Sequence, residues 1–224
     1  IAPRNQKAIR MIFTIGNTKG GVGKSTLALN LAIAMATRGR TVWIVDGDRQ
    51  GTTATAMGIR AAAGKLPLIH CSHLPDGKDL HAALVVEAAQ FDCVIVDAGG
   101  RDSAALRAAL VLSAVVVVPF APRSLDMWAL SDMCRLVDDA RAINPALKAC
   151  EVLSCADATG RDNQDAADAL ENFPQLDYLP TPIRRRKSVS TAIGHGLSVL
   201  EAQPKDPKAI AELKSFVDAL VQFC

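Results

Sequence analysis

Short apolar runs alternate with longer amphipathic stretches along most of the chain. Several runs are continuously apolar, such as 94–96 and 115–118, as expected for strands buried on both faces of a parallel sheet. The predicted strands are Met11–Gly16, Thr41–Asp46, Pro67–Cys71, Cys93–Asp97, Ala114–Pro119, Ala149–Cys155 and Tyr178–Pro180.

Helical periodicity fills the intervals between these strands. Leu27 and Leu31 share one face of a helix after the first strand. A second predicted helix begins with a cap at Ser124 and ends before Pro145, and the last covers Pro207–Phe223. This alternation predicts an α/β fold, with a doubly wound, mainly parallel sheet covered by helices on both faces.

Composition supports a folded protein of ordinary type. The 224 residues are 50% hydrophobic and 21% charged, which excludes a disordered chain. Residues 11–224 are expected to form a single domain, and residues 1–10 an N-terminal extension or cloning remnant. No run of about 20 apolar residues predicts a membrane span.

Charge and cysteine content narrow the functional classes. A net charge of +2 means that any nucleic-acid contact must come from a local patch, and 4% aromatic residues argue against a stacking platform for single strands. The six cysteines lack paired metal-site spacing and are interpreted as free thiols of a reducing cytosol.

The segment Gly16-Asn17-Thr18-Lys19-Gly20-Gly21-Val22-Gly23-Lys24-Ser25-Thr26 carries the most informative motif. It follows an apolar strand and opens an amphipathic helix, where glycine N–H groups and the helix N-terminus bind phosphate. Lys24 would then reach the β- and γ-phosphates, the Ser25 hydroxyl would hold Mg²⁺, and Thr26 would lie near the α-phosphate. The predicted nucleotide-binding residues are Lys19, Gly20, Gly21, Val22, Gly23, Lys24, Ser25 and Thr26.

Lys19 adds a second cation to this loop. Phosphoryl transfer develops negative charge around the γ-phosphate, which a further cation stabilises. At the outer edge of the loop, Lys19 could also point away from its own nucleotide and serve one in a facing subunit.

Three aspartates stand at the carboxyl ends of predicted strands. Asp46 and Asp48 follow the second strand, and Asp97 ends the fourth. Open α/β sheets bind ligands at this edge, and a carboxylate there can hold Mg²⁺ or orient an attacking water. A solvated turn is the alternative interpretation of Asp46 and Asp48.

These segments resemble a known family. Lys19-Gly20-Gly21-Val22-Gly23-Lys24-Ser25-Thr26 is similar to the deviant Walker A box of the ParA/MinD ATPases. Asp46-Gly47-Asp48-Arg49-Gln50-Gly51 is similar to the family's second box, with Arg49 in place of the usual proline, and Phe91–Asp97 fits a Walker B box. The resemblance implies a P-loop ATPase that uses ATP/ADP and Mg²⁺.

The resemblance also implies roles for individual residues. Lys19 would cross to the partner's phosphates in an ATP-sandwiched homodimer, so that Lys19, Lys24 and Asp48 are the expected catalytic residues. Asp48 would position the hydrolytic water and Asp46 would support the metal shell. Asp97 would contact Mg²⁺, which makes Ser25, Asp46, Asp48 and Asp97 the expected metal-site residues.

A basic run lies in the second half of the chain. Arg184, Arg185, Arg186 and Lys187 are consecutive and could bind DNA phosphates without reading sequence, or form a solvated turn. The following residues are similar to the family's late signature. That similarity implies that the loop before Arg184, including Pro182, cradles adenine.

The leading hypothesis is a cytoplasmic, nucleoid-associated, ParA-like ATPase. ATP would close a homodimer that binds DNA non-specifically, and slow hydrolysis, stimulated by a ParB-like partner, would open it to position a plasmid or chromosome. A conjugation- or secretion-associated accessory ATPase is an alternative cargo class.

Two further classes remain open: a MinD-like membrane switch, and a metabolic enzyme on the same fold, either a reductase or a synthetase. A MinD-like membrane switch would need a basic amphipathic C-terminal helix, but Pro207–Phe223 has no net basic face, so no membrane partner is expected. A nitrogenase-type reductase would need cysteines for a shared cluster, and Cys93 and Cys134 fall inside a predicted strand and helix. A ligase-like synthetase would need a substrate pocket that no distinctive residues indicate.

Overall fold

The computed structural model describes residues 11–100, 102–122, 127–157, 163, 168 and 173–224. The predicted extension at residues 1–10 and the predicted helix cap at Ser124 lie outside the described residues.

Seven parallel strands form one sheet, which confirms the predicted fold class. The spatial order is β3-β2-β4-β1-β5-β6-β7, so β1 lies near the middle between β4 and β5. The strands are β1 (Met11–Ile15), β2 (Val42–Asp46), β3 (His70–His73), β4 (Cys93–Asp97), β5 (Val115–Phe120), β6 (Lys148–Ala156) and β7 (Asp177–Arg184).

Helices connect the strands and cover both faces of the sheet. In the described part of the chain they are α1 (Lys24–Thr37), α2 (Thr52–Ala62), α3 (Gly77–Glu87), α4 (Ala104–Leu110), α5 (Met127–Arg141), α6 (Lys187–Gly194) and α7 (Pro207–Phe223). A short 3₁₀ turn at Ala88–Gln90 follows α3.

The hydrophobic core has a layer on each side of the sheet. One layer joins the sheet to α1 and α7, and the other joins it to α3, α4 and α5. The α7 bounds are those predicted, and its apolar face (Leu213, Phe216 and Leu220) is buried in the first layer. This face therefore packs on the sheet.

The predicted third strand, Pro67–Cys71, is wrong by about three residues, because β3 is His70–His73. The Arg60 side chain on α2 donates hydrogen bonds to the carbonyl groups of Leu66 and Pro67, at 3.0 and 3.3 Å. These bonds hold that apolar segment outside the sheet.

The last strand is longer than predicted. Sequence analysis predicts Tyr178–Pro180, whereas β7 extends over Asp177–Arg184. A strand with two prolines, Pro180 and Pro182, is tolerated because β7 is at the edge of the sheet and its pairing with β6 shifts register between Val152 and Ser154. The predicted loop before Arg184 is therefore part of a strand.

Candidate functional site

An open cleft of about 1140 Å³ lies at the carboxyl ends of the central strands. Open α/β sheets bind ligands at this edge, where the order of the strands reverses around β1. Five segments line the cleft: the loop after β1 with the start of α1, the turn after β2 with the start of α2, the residues entering α3, the residues between β4 and α4, and the end of β6. The lining residues on these segments include Thr18, Gly20, Gly21, Gly23, Lys24, Ser25, Thr26, Asp48, Pro75, Asp76, Gly99, Gly100 and Ser103.

The loop after β1 takes its shape from glycines with positive φ. Gly21 has φ 76°, and Gly23, the residue that caps α1, has φ 85°. A Cβ atom at Gly23 would lie 2.7 Å from the Ser154 hydroxyl oxygen, so only glycine fits there. The backbone N–H groups at this helix start form the arrangement that binds phosphate elsewhere.

Lys24 lies in the cleft with its side chain almost buried, at 7% exposure. Its Nζ donates a hydrogen bond of 2.7 Å to the Lys19 carbonyl oxygen. Burial lowers the pKa of Lys24, while the charges of Asp97 and Asp48 oppose that shift. The Lys24 cation therefore lies close enough to both carboxylates for their charges to act on it.

Asp97 is more deeply buried than Asp48, at 1% exposure. Thr53 on α2 donates a 2.6 Å hydrogen bond to it, and the Ser25 hydroxyl is a second partner. Burial raises the pKa of Asp97 to about 7, with a further contribution from the nearby Asp46 charge. A cation bound beside Asp97 would relieve this cost by restoring its charged form.

Asp46 and Asp48 have different tasks although they are two residues apart. Asp46 is fully buried, and its two oxygens accept hydrogen bonds from the backbone N–H groups of Asp48 (3.0 Å) and Ala54 (2.8 Å). Asp48 is half-buried, lines the cleft and accepts a hydrogen bond from the Gln50 N–H. Asp46 thus shapes the turn, and Asp48 faces the space where a ligand would lie.

The residues present fit a nucleotide phosphate chain with a magnesium ion. A Cβ atom at Gly100 would lie 3.4 Å from the Lys24 Nζ, and one at Gly99 would lie 3.3 Å from the Asp48 carboxyl carbon, so two glycines keep this space open. In the described part of the chain no group of three or more His, Cys, Asp or Glu residues could hold a metal by itself. Mg²⁺ suits such a site, because it is commonly held by one or two protein ligands, water and substrate phosphates.

Two residues of the predicted loop do not line the cleft with their neighbours. Val22 is 2% exposed and belongs to the core, so it can meet a ligand only through its backbone. Lys19 is half-buried and is not among the lining residues, while its backbone N–H donates to the Asn17 side chain at 2.9 Å. This position agrees with a lysine directed away from its own nucleotide site.

Sequence reasoning missed three residues that shape the cleft. Asn17, 2% exposed, bridges the loop to the Pro119 carbonyl at 2.8 Å, and Thr53 bonds Asp97 from α2. Cys155 at the end of β6 lines the cleft and has a positive φ of 54°. Only Asn17 lay within a recognised motif, since Thr53 and Cys155 reach the site through tertiary packing.

The basic run is divided by its ion pairs. Arg184 and Arg186 both donate to the Glu212 carboxylate of α7, at 3.0 and 2.6 Å, and their side chains are 33% and 21% exposed. Arg185 and Lys187 are exposed. The structure therefore leaves two of the four cations exposed and pairs the other two with a single carboxylate, which offsets one of their two positive charges.

Pro182 lies within β7, half-buried, and does not line the cleft. Its neighbour Ile183 lines a narrow apolar pocket beside Thr26 and Leu27 of α1, with Glu212 at its wall. With a volume of about 20 Å³, this pocket has room for a water molecule and does not itself form a nucleobase site.

Comparisons with known proteins agree with this geometry. Residues 13–199 match the family model described as CobQ/CobB/MinD/ParA nucleotide binding domain. The maintenance of carboxysome distribution protein A of Halothiobacillus neapolitanus is 27% identical over 210 residues, which cover 92% of this chain and 94% of that protein. The chromosome-partitioning ATPase Soj of Thermus thermophilus is 31% identical in an alignment of 226 positions that covers 88% of this chain and 90% of that protein.

A solved structure with the same fold contains the expected ligands. The crystal structure of cobyrinic acid a,c-diamide synthase from Mycobacterium smegmatis, with bound ATP analogue and magnesium, superposes with a TM-score of 0.73 at 22% identity. The match covers 95% of this chain and 94% of the synthase chain. At this identity the similarity is one of fold.

Proposed function

Because the chain belongs to the CobQ/CobB/MinD/ParA family of nucleotide-binding domains, we propose that it is a ParA-type ATPase. It binds ATP with Mg²⁺, forms a homodimer in the ATP state and hydrolyses ATP to position a cargo. A cytoplasmic, nucleoid-associated location follows from the proposed DNA binding.

The observation that carries the proposal is the proximity of three charged side chains, of which Lys24 and Asp48 line the cleft and Asp97 is buried. Lys24 begins α1, Asp48 lies in the turn after β2 and Asp97 ends β4, and the charges of both carboxylates act on Lys24. A purely structural glycine turn would not need a nearly buried lysine cation beside two carboxylates. A phosphate-binding loop with a metal and a water-orienting carboxylate does need them.

Individual roles follow from these positions. Lys24 neutralises phosphate charge, and Ser25 and Asp97, already hydrogen-bonded to each other, are placed to hold Mg²⁺. Asp48 faces the cleft and orients the attacking water, while Asp46 acts through the turn that it shapes. The metal, when bound, withdraws charge from the phosphate oxygens. Thr26 lines the cleft and would lie near the α-phosphate.

The position of Lys19 supports the proposal that the protein forms a dimer. Lys19 does not line its own cleft, which supports a role in which its cation reaches a phosphate chain held by a second copy. Only the ATP state would then close the pair, which makes the nucleotide a switch between two assemblies.

The proposed class of cargo is a large object that must be positioned in the cell. The relatives are named for carboxysome distribution and for chromosome partitioning, and both tasks place a large object in a cell. We place this chain in the same class, with non-specific DNA as the track through Arg185 and Lys187 and a ParB-like protein as the stimulating partner. None of the described helices is long and apolar enough to cross a bilayer.

The test compares two lysine variants that remove the same charge from the same loop. Lys24→Ala is expected to abolish ATP binding, measured with a fluorescent ATP analogue. Lys19→Ala is expected to bind ATP as a monomer with an affinity within about threefold of wild type, yet to lose ATP-dependent dimerisation and turnover by at least about tenfold. Light scattering with ADP, ATP and a slowly hydrolysed analogue measures the assembly.

The two variants separate the parts of the proposal. Equal dimerisation by Lys19→Ala and wild type would contradict the cross-subunit role of Lys19. Unchanged ATP binding by Lys24→Ala would contradict the assignment of the cleft itself.

A further inference from the structure

We infer that His73, at the end of the edge strand β3, is a positioning residue that holds the turn carrying Asp48 and thereby sets the rate of ATP hydrolysis. The inference deepens the proposed function and rests on it, since it takes Asp48 as the carboxylate that orients the attacking water. His73 is exposed and has no part in the sheet's hydrophobic core.

Strand register brings His73 to the turn. Asp46 at the end of β2 pairs with His73 at the end of β3, and the Leu74 N–H donates to the Asp46 carbonyl oxygen at 2.8 Å. The chain of β2 then turns at Asp48, so that the imidazole of His73 lies beside this turn. Its Nε2 is 2.8 Å from the Asp48 carbonyl oxygen.

The chemistry of this contact determines which nitrogen is protonated. A carbonyl oxygen can only accept a hydrogen bond, so Nε2 of His73 carries the proton and donates. The same oxygen also accepts from the Gly51 N–H at 3.1 Å. Two donors, one from within the turn and one from the neighbouring strand, therefore hold the Asp48 carbonyl in a single direction.

The His73 ring also packs on the turn. A Cβ atom at Gly51 would lie 3.5 Å from the ring Cε1 and 3.7 Å from Nε2. Gly51 has φ 64° and caps the start of α2, so the ring covers the point where the turn becomes the helix. Packing and hydrogen bonding are thus two separable contributions of the same side chain.

If the turn that carries Asp48 were more mobile, the protein would still bind nucleotide. The Asp48 carboxylate would then be oriented toward the attacking water for a smaller fraction of the time. The residues that hold phosphate lie on the loop after β1, on the other side of the cleft from β3. Loss of the His73 hydrogen bond should therefore lower kcat and leave the affinity for ATP unchanged.

Three variants separate the donor from the packing. His73→Phe keeps a ring over Gly51 and removes the donor, and His73→Gln restores an N–H near the position of Nε2. His81→Ala is the matched control, because it removes an exposed histidine from α3. We expect kcat to fall about three- to tenfold in His73→Phe, the range for the net loss of one hydrogen bond. His73→Gln and His81→Ala should stay within about twofold of wild type, and Kd for ATP should be constant throughout.

Amide hydrogen exchange of the nucleotide-free protein supplies a second readout that does not depend on turnover. The Gly51 amide should exchange faster in His73→Phe than in wild type and His73→Gln. An unchanged kcat in His73→Phe, an equal loss in His73→Gln, or an unchanged exchange rate would each overturn the inference. If the wild-type chain shows no ATP turnover, the proposed function is overturned. The exchange rate of the Gly51 amide would then still test whether His73 holds the turn.

Discussion

At the scale of single residues, Glu151 is the side chain whose placement conflicts most with its chemistry. It lies in the middle of β6, fully buried, and neither carboxyl oxygen has a hydrogen-bond partner in the described part of the chain. Burial raises the pKa of Glu151 to about 8, and the charge of Asp177 adds to the effect. The neutral acid therefore predominates at pH 7, and ionisation must be accompanied by destabilisation of the fold.

The sign of the pH dependence follows from the two pKa values. In the unfolded chain the carboxyl titrates at about 4.5 and in the folded chain at about 8. The stability associated with the protonated acid is fully present below pH 4.5 and is lost as pH rises through 8. We expect wild type to lose stability relative to Glu151→Gln between pH 5 and pH 9, because glutamine of similar volume cannot ionise.

Thermal denaturation at several pH values checks this expectation. The difference in Tm between wild type and Glu151→Gln should grow with pH to several degrees, which corresponds to a few kcal/mol at most. Glu87→Gln at the end of α3 is the control for the glutamate-to-glutamine substitution itself. A pH-independent difference for Glu151→Gln would show that the buried carboxyl does not titrate as described.

At the scale of elements, α2 is held by a turn more than a hundred residues away. The Arg60 guanidinium of α2 forms two hydrogen bonds with the Glu201 carboxylate, at 2.7 and 2.8 Å, and is 2% exposed. Gly196, with φ 66°, lies against the same helix. The helix that carries Thr53 to Asp97 thus depends on a segment near the other end of the chain.

Two glycines near this turn provide a matched comparison. A Cβ atom at Gly196 would lie 2.5 Å from the Ala56 carbonyl oxygen and 2.7 Å from the Arg60 backbone nitrogen, whereas one at Gly194 would meet nothing within 4 Å. Gly196→Ala is expected to lower the free energy of unfolding by more than about 2 kcal/mol, since backbone must move. Gly194→Ala should change it by less than about 1 kcal/mol.

Urea denaturation measures both variants. Similar midpoints for Gly196→Ala and Gly194→Ala would mean that α2 can shift away from the turn without cost. A lower ATP affinity in Gly196→Ala alone would further show that the position of α2 matters for the cleft.

At the scale of the whole molecule, the net charge is only +2, and the cations of the basic run differ in exposure and in ion pairing. Arg184 and Arg186 are drawn onto Glu212 of α7, and Arg185 between them remains exposed. Non-specific DNA binding depends on cations that can release condensed counterions from phosphates. The contacts that each arginine makes in the fold should therefore decide how much it contributes to DNA binding, more than its place in the basic run does.

Two substitutions that each remove one positive charge from this run test that statement. Arg185→Ala should weaken ATP-dependent DNA binding and make the log–log salt slope shallower by about 0.9, the value for one phosphate contact. Arg184→Ala should change the slope by less than Arg185→Ala does, because its guanidinium is partly buried and shares the Glu212 carboxylate with Arg186. Binding of duplex DNA over a salt series gives both slopes, and equal effects would contradict the assignment.

The sequence alone determined the family and the fold class. A glycine-lysine loop between an apolar strand and an amphipathic helix is a local pattern, and so is an apolar run that ends in aspartate, as at Asp97. Local patterns are readable without tertiary structure because backbone preferences and burial periodicity act over a few residues. The resemblance to ParA/MinD ATPases and the parallel sheet are confirmed for that reason.

Only the tertiary structure decided how residues far apart in the chain act on one another. It placed Thr53 on Asp97, directed the oxygens of Asp46 to backbone amides and brought His73 to the Asp48 carbonyl. It also moved β3 beyond the segment that Arg60 holds. Such contacts depend on strand order, register and helix packing, which are set by the whole core and not by any one segment of sequence.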